Sequence, residues 1–235
     1  MLEQDLLRGY SPNFPSTNYS FHVSVYQIAA YTECPAKAYL YTKLGIQGEL
    51  QISGYVGIVR HKIRQALALQ PDINVENLVD TVTSECRWLP PSMVKKEVQT
   101  YLETYKRIRV PHTPRKVDVE VEVKAFGISG RIDIVEDGTP VELKLSRRFR
   151  ISAYIQLAWY AILLEHATGQ PVDNGILESL STPLRVKVEI SSELRRAAIR
   201  AWKGIVKDCY TDSPALKKSS CHYCNVKREC SLLLG

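Results

Sequence analysis

Residues 130–144 read Gly-Arg-Ile-Asp-Ile-Val-Glu-Asp-Gly-Thr-Pro-Val-Glu-Leu-Lys, and this segment has the pattern of two short β-strands joined by a tight turn. Asp137-Gly138 is a dipeptide typical of hairpin turns, and apolar residues alternate with polar ones on either side of it. Successive side chains of a strand point to opposite faces. Glu142 and Lys144 are therefore expected to share one face, while Leu143 points the other way into a core.

The charged residues of this hairpin have the chemistry of a metal-dependent hydrolytic site. Hard divalent cations prefer oxygen ligands, and Asp133 and Glu142 could supply two carboxylates at the end of a sheet. Lys144 would then lie beside the metal, where it could orient an attacking water and stabilise its deprotonated form. The alternative is an ordinary hairpin with a charged solvent face, and the hairpin sequence alone leaves both interpretations open.

The composition is that of a globular protein with a sizeable core. The chain has 235 residues, of which 45% are hydrophobic and 24% are charged. It contains no apolar run of the roughly 18 residues that a membrane span requires. Residues 1–5 lack a basic region followed by an apolar block, so we expect no secretory signal. We therefore expect a cytoplasmic protein that does not associate with a membrane.

Basic residues cluster at four places, and the net charge is +6. The clusters lie at residues 106–109, 147–150, 195–196 and 217–218. Such clusters attract the phosphates of nucleic acids, although a basic cluster on one helix is often only a solvated face. The segment 147–150 directly follows the hairpin, so its arginines could grip a DNA backbone, and a solvated connector is the alternative.

Hydrophobic periodicity predicts an alternation of helices and strands outside the hairpin. Residues 1–22 lack periodicity and predict an irregular N-terminal arm. Helices are predicted near 25–31, from 35 onward, at 54–69, 75–88, 92–108 and 151–167, and for about eighteen residues after a cap at 191 or 192. Strands are predicted at 175–180 and 184–190, and at 117–124, where valines alternate strictly with charged residues.

Predicted helices carry further candidate site residues. His61 follows Gly57 by one turn, and a small residue there would let another element approach the histidine, although a lone histidine on a helix is usually an ordinary surface or core residue. Gln156 and Tyr160 are four residues apart and are therefore neighbours on one helix face. The aromatic rings of the helix predicted at 151–167 could stack on bases or could simply belong to the core. These rings are Tyr154, Trp159 and Tyr160.

Three cysteines lie close together near the C-terminus: Cys221, Cys224 and Cys230. Cysteines in an intracellular protein are more often metal ligands than disulfide partners. Thiolates bind zinc or an iron–sulfur cluster, and either centre requires a fourth ligand. His222 could replace a cysteine in a zinc site, so the spacing leaves the metal open.

Cys34 is the predicted fourth ligand of this centre. Pro35 places Cys34 at the entry of a helix, where backbone N–H groups favour a thiolate. Cys86 and Cys209 fall inside helical patterns, and we interpret them as small buried residues.

Taken together and in this order, these residues resemble the RecB-like iron–sulfur nucleases of the PD-(D/E)xK superfamily over about residues 24–231. The motifs that carry the resemblance are Cys34, Gly57-x-x-x-His61, Gly130-x-x-Asp133, Glu142-x-Lys144, Gln156-x-x-x-Tyr160 and Cys221-x-x-Cys224-x5-Cys230. The size of the chain and its Tyr31-Thr32-Glu33-Cys34-Pro35 segment are most similar to the CRISPR-associated exonucleases of the fourth Cas family.

The resemblance implies an α/β (α+β) fold of the restriction-endonuclease type with a mixed central sheet, a helical N-terminal insertion and a C-terminal iron–sulfur module. The implied parts are an arm at 1–23, a helical region at 24–110, a nuclease core at 111–210 and an iron–sulfur segment at 211–235 that closes onto Cys34.

The same resemblance implies a role for each site residue. The metal, Mn²⁺ or Mg²⁺, would be held by His61, Asp133, Glu142 and the carbonyl of Leu143. Lys144 would position or activate the attacking water, and Gln156 and Tyr160 would steady the site and the DNA. The cluster, usually [4Fe-4S] and occasionally [2Fe-2S], would be held by Cys34, Cys221, Cys224 and Cys230.

The implied function is a metal-dependent DNA exonuclease that acts on single strands and ends and processes DNA fragments during CRISPR adaptation. The Cas integrase proteins are then candidate partners, and the oligomeric state stays open. Two alternatives are a RecB-like repair nuclease outside CRISPR and a noncatalytic iron–sulfur subunit that only binds DNA.

Overall fold

The computed structural model describes residues 22–46, 48, 52–108, 114–216, 221 and 224–233. Most of the predicted N-terminal arm lies outside these residues, as do the basic pair at 217–218 and His222. The described residues form six strands and eight helices, arranged as one mixed β-sheet between two helical layers. None of the helices in these ranges is long and apolar enough to cross a membrane.

The elements agree with the periodicity of the sequence, with ends that differ from the predicted ones by about three residues at most. The strands are β1 (Val23–Ser24), β2 (Val117–Ala125), β3 (Ile128–Glu136), β4 (Thr139–Lys144), β5 (Asn174–Ser179) and β6 (Arg185–Glu189). The helices are α1 (Val25–Glu33), α2 (Pro35–Lys43), α3 (Ile52–Leu69), α4 (Val75–Glu85), α5 (Pro91–Tyr105), α6 (Ile151–Thr168), α7 (Ser192–Thr211) and α8 (Lys227–Leu233). The short elements β1 and α8 were not predicted.

Strand β3 is the centre of the sheet and is shared by three other strands. β2 runs antiparallel along one edge of β3. The other edge pairs with β1 at residues 128–129 and with β4 at residues 134–136. Between these two partners, residues 130–133 have no strand paired on that edge within the described ranges. The sheet therefore opens into a cleft beside Asp133.

The turn of the central hairpin has the predicted geometry. Asp137 has a φ of 47° and Gly138 a φ of 79°, which are the two positive values that a type I′ turn requires. The Asp137 carboxylate also accepts hydrogen bonds from the backbone N–H groups of Arg115 and Lys116. This turn fixes the register in which Ile134 pairs with Val141.

Two apolar clusters hold the helical layers against the sheet. On one face, α3, α4 and α5 pack against Ile134, Val141 and Leu143. On the other face, α1, α2, α6 and α7 pack against Ile132, Leu177 and their neighbours. Residues 155–165 of α6 are all buried, which explains why this helix is apolar all round.

The valines of β2 change face halfway along the strand, whereas the strict alternation predicts a single apolar face. Val117 and Val119 pack with the α3–α5 cluster, but Val121 and Val123 pack with the α6 cluster. The cause is Glu120, whose φ of 52° lies in the left-handed region and shifts the alternation by one residue.

Strand β3 changes face at the same level. Ile132 packs with the α6 cluster and Ile134 with the α3–α5 cluster. Asp133 lies between them, and the ladder with β2 lacks the pair that Asp133 would form with Glu120. The break in alternation on both strands therefore places Asp133 at the boundary between the two faces, where it can meet residues from either side.

Candidate active site

Asp133 is fixed at the point where β3 and β4 separate. The ladder between these strands ends with the pair Ile134 and Val141. At the next residue of β3, a side chain makes the contact with β4, since the Asp133 Oδ2 accepts the backbone N–H of Leu143 at 2.8 Å. The carboxylate thus bridges the opening cleft between β3 and β4.

Helix α3 brings His61 to Asp133. The His61 Nδ1 and the Asp133 Oδ1 are 3.4 Å apart, and one turn later the Gln65 amide donates to the Asp133 carbonyl at 3.3 Å. Burial alone would raise the pKa of Asp133, but the charge of His61 and the hydrogen bonds from His61 and Leu143 outweigh it and lower that pKa. Asp133 is therefore held as a carboxylate.

Gly57 does not have the steric role that was predicted for it. A Cβ at Gly57 would meet only the Leu145 side chain, at 3.8 Å, which is an ordinary contact distance. The approach of Asp133 to His61 thus does not depend on a glycine at this position.

Glu142 and Lys144 lie on the same face of β4 and contact each other, as the alternation predicts. The Lys144 Nζ is 2.5 Å from the Glu142 Oε1. The Glu142 side chain is only 2% exposed, and its Oε2 has no hydrogen-bond partner among the described residues. Burial raises the pKa of Glu142 to about 7, and this carboxylate in turn outweighs the effect of burial on Lys144 and raises the lysine pKa.

Helix α6 completes the network with the predicted pair of neighbours. Lys144 Nζ donates to Gln156 Oε1 at 2.8 Å, and Gln156 Nε2 donates to the Tyr160 hydroxyl at 2.8 Å. The Tyr160 ring lies against Gly130, where an added Cβ would come within 2.8 Å of it. The network therefore runs from α6 through Lys144 to Glu142, and Asp133 and His61 lie on the other side of that carboxylate.

These donors fit a hard divalent cation. They combine two carboxylates with an imidazole, and one buried carboxylate oxygen lacks a partner. Leaving such an oxygen unpaired costs free energy, and a bound cation would remove that cost. Among the described residues, no three His, Cys, Asp or Glu side chains form a group that could hold a metal ion, and Glu142 directs its other oxygen at Lys144.

The predicted cluster cysteines lie near one another. Cys34 is buried at the start of α2, and Cys230 is in α8. Burial raises the pKa of the Cys230 thiol, and the neighbouring Cys34, Cys221 and Cys224 raise it further because negative charges repel. A cationic metal centre would remove this repulsion. Within the described ranges, however, no three of these thiols form a group that could hold a metal ion, so the cluster stays a prediction.

The remaining cysteines and the aromatic rings of α6 belong to the core, although Tyr154 is only partly buried there. Cys86 and Cys209 are both buried, as predicted. Trp159 and Tyr160 are buried as well, so the core alternative is correct for them and they cannot stack on a base. The Trp159 indole N–H donates to the carbonyl of Ala198, which ties α6 to α7.

The sequence analysis missed a second group of buried charges next to the site. The Arg64 guanidinium contacts Glu178 at 2.6 Å and Glu136 at 2.9 Å, and Arg185 contacts the same two carboxylates. Arg64 is one turn from His61 on α3, so this ionic group holds the helix that carries the histidine. Its only signal in the sequence is a glutamate inside the apolar strand at 175–180.

Comparison with known proteins identifies the family. The model of the PD-(D/E)XK nuclease superfamily matches residues 22–231. A solved structure described as "Crystal structure of SSO0001" is 15% identical, with 97% of this chain and 94% of that chain covered and a TM-score of 0.42. A search of curated proteins gave no match. Because the family match spans nearly the whole chain and includes the His61–Lys144 network, this protein belongs to the PD-(D/E)XK nuclease superfamily of divalent-metal-dependent nucleases.

Proposed function

We propose that this protein is a metal-dependent DNA exonuclease that acts on single strands and ends. The observation that carries the proposal is the buried, unpaired Oε2 of Glu142 beside Asp133 and Lys144. A purely structural ion pair has no reason to leave this oxygen unpaired. In a metal site that binds phosphate and water, this oxygen would be left free to bind the metal.

The proposed metal ligands are His61, Asp133, Glu142 and the carbonyl of Leu143. When bound, Mg²⁺ or Mn²⁺ would neutralise charge on the scissile phosphate and favour the deprotonated form of a water. Leu143 holds Asp133 through its backbone N–H, so strand β4 positions one carboxylate and supplies the other.

Lys144 orients the attacking water and stabilises the charge that develops on the phosphate. Its ammonium group is aimed by two contacts, one with Glu142 and one with Gln156. The Tyr160 hydroxyl accepts a hydrogen bond from Gln156 and so positions that side chain. None of the hydrogen bonds described above joins Tyr160 to Lys144. Gln156 and Tyr160 therefore act as positioning residues for the lysine.

The four cysteines are proposed to hold an iron–sulfur cluster, [4Fe-4S] or [2Fe-2S]. Support comes from the effect of Cys34, Cys221 and Cys224 on the thiol of Cys230. Such a centre would join the beginning and the end of the fold and stabilise it. The implied division into an arm at 1–23, helices at 24–110, a core at 111–210 and a cluster segment at 211–235 belongs to the same proposal.

A role in CRISPR adaptation, with the Cas integrase proteins as partners, rests on the resemblance to the fourth Cas family. A repair nuclease of the same fold is the second candidate, and the neighbouring genes would separate the two. A noncatalytic DNA-binding subunit is disfavoured by the His61–Asp133 contact and the adjoining Glu142–Lys144 pair, since such a scaffold needs neither.

The nuclease proposal is tested with end-labelled single-stranded DNA, Mn²⁺ or Mg²⁺, and an EDTA control. We expect cleavage only with metal, and none with Asp133→Ala. Asp118→Ala is the matched control, because Asp118 is an exposed carboxylate on β2 that contacts only Lys116 among the ion pairs described. Undiminished cleavage by Asp133→Ala would contradict the assignment.

The cluster proposal is tested by the visible absorption spectrum of protein purified without oxygen. An iron–sulfur protein is brown, and the colour should be lost in Cys230→Ser. Cys209→Ser is the control, because Cys209 is buried in α7 and is not one of the four proposed ligands. A colourless protein that contains zinc would show that the metal assignment is wrong.

A further inference from the structure

The aromatic side chain best placed to contact a substrate is Tyr26, which the sequence analysis did not consider. We propose that Tyr26 is a stacking platform for an unpaired base of single-stranded DNA, next to the scissile phosphate. This inference rests on the proposed nuclease function and deepens it, since it gives a physical reason for selecting single strands.

Tyr26 lines two cavities, and each of them reaches part of the catalytic network. One cavity, of about 320 Å³, is lined by Tyr26 and reaches Lys144 and Gln156. The other, of about 490 Å³, is also lined by Tyr26 and reaches Asp133 and Tyr160. Both volumes fall in the range of roughly 300–1,000 Å³ that is usual for ligand sites. Tyr26 is the residue that the two linings share, so a strand that occupies both cavities passes beside its side chain.

Tyr26 differs from the nearby aromatic residues in its exposure. It is 53% exposed, whereas Tyr160 is 4% exposed and Trp159 is fully buried. An exposed ring is available to a base, and every base has a π-face that can stack on it. In the free protein, this exposed ring at the catalytic cleft is an apolar surface that a substrate base could cover.

The ring of Tyr26 is held in place from behind. It stacks on Tyr41, with ring centroids 5.8 Å apart and planes inclined by 23°. The Tyr41 hydroxyl donates to Asn225 Oδ1 at 3.0 Å, and Asn225 directly follows Cys224. The cysteine segment therefore braces the platform, so a base that stacks on Tyr26 does not have to immobilise a free side chain.

Basic residues flank this ring on both sides, as a backbone that passes over it requires. Lys37, Arg148 and Arg150 line the cavity near Lys144. Lys124 and Arg131 line the cavity near Asp133.

The loop that carries the two arginines of the first cavity is ordered by Ser146. The Ser146 carbonyl accepts from Ser179 at 2.7 Å, and the Ser146 hydroxyl contacts the backbone of Arg148. Phosphates can thus be contacted before and after the stacked base. Inside a duplex both faces of a base are covered by its neighbours, so an internal base can stack on Tyr26 only when it is unpaired.

Equilibrium binding of a single-stranded oligonucleotide that contains the fluorescent base 2-aminopurine tests this inference without any cleavage. The measurement is made in EDTA, and stacking on an aromatic ring quenches the fluorescence. We expect Tyr26→Ala to lose the quenching and to bind about 5- to 150-fold more weakly, while Tyr26→Phe keeps both. Tyr210→Ala is the control, because Tyr210 is 52% exposed but lines neither cavity.

The outcomes separate this inference from the nuclease proposal. Equal affinity and quenching in wild type and Tyr26→Ala would overturn the platform, as would equal quenching by a duplex that carries the same base. A loss in Tyr26→Phe equal to that in Tyr26→Ala would also overturn it, since the hydroxyl and not the ring would then be the contact. If quenching depends on Tyr26 but wild type cleaves no DNA with metal, the platform stands and the nuclease proposal fails.

Discussion

Two groups of buried charge lie side by side in this protein, and only one of them is saturated. His61 and Arg64 are one turn apart on α3, and Asp133 and Glu136 are three residues apart on β3. On the neighbouring strands, Glu142 of β4 and Glu178 of β5 belong to adjacent ladder positions. The same helix and the same sheet therefore contribute to both groups.

The groups differ in how their carboxylate oxygens are satisfied. In the structural group, all four oxygens of Glu136 and Glu178 receive an N–H from Arg64 or Arg185. In the candidate site, Glu142 Oε2 receives none within the described residues, and burial raises the Glu142 pKa to about 7. A saturated group holds elements together, whereas an unsaturated one is ready to bind a cation.

The largest expected effect comes from breaking the saturated group. Glu178→Gln leaves two buried arginines with one carboxylate between them, and removal of one partner from a buried ionic group costs about 3–5 kcal/mol. We expect the urea midpoint of unfolding to fall accordingly. Glu103→Gln, at an exposed pair with Lys106, is the control and should leave the midpoint unchanged. A loss below about 1 kcal/mol would mean that the arginines find other partners.

Removing charge from the unsaturated group should lower the cleavage rate strongly and change the stability little. Glu142→Gln should lower the DNA cleavage rate by about 10²–10³-fold, the scale of one lost electrostatic contact in a transition state. The same substitution should change the free energy of unfolding at pH 8 by no more than about 1 kcal/mol. Burial raises the pKa of the Glu142 carboxyl, so the stability that its neutral form contributes is lost as the pH rises through 7 and the group ionises. Rates and urea unfolding measured on the same preparation check both parts. Intact cleavage with lost stability would show that Glu142 is structural.

Local periodicity was sufficient for the elements and for the pairing of Glu142 with Lys144, because alternation depends only on neighbouring residues. The change of face on β2 was not predictable, since Glu120 adopts a positive φ that its own side chain disfavours. The contact of Arg64 with Glu178 joins residues 114 positions apart, and no local pattern encodes it. The sequence therefore revealed the reactive groups but not the charges that hold them.

Adding the cation tests directly whether the unsaturated group binds a metal. Mn²⁺ at about 100 times its Kd should raise the free energy of unfolding of the wild type by about 2.7 kcal/mol, since it binds only the folded site. Asp133→Asn should show no such gain, and Asp118→Asn, with an exposed carboxylate on β2, should show all of it. Thermal melts with and without Mn²⁺ provide the measurement. Equal stabilisation of all three proteins would place the cation elsewhere.

The smallest expected effect concerns the packing that aims Lys144. A methyl group at Gly130 would lie 2.8 Å from the Tyr160 ring and 3.0 Å from the Val25 side chain, and both neighbours are buried. Gly130→Ala should therefore cost about 1–3 kcal/mol of stability, because overpacking forces buried side chains to shift.

Since Tyr160 positions Gln156, the shift in Gly130→Ala should also lower the cleavage rate while the Mn²⁺ stabilisation remains. Gly57→Ala is the matched control, because its new methyl group meets only ordinary contacts on a helix, where alanine is favoured over glycine by roughly 0.5–1 kcal/mol. If both variants cleave DNA as fast as the wild type, the link from Tyr160 to Lys144 does not limit catalysis. A loss of Mn²⁺ binding in Gly130→Ala would instead tie this packing to the metal ligands, because Asp133 lies on the same strand.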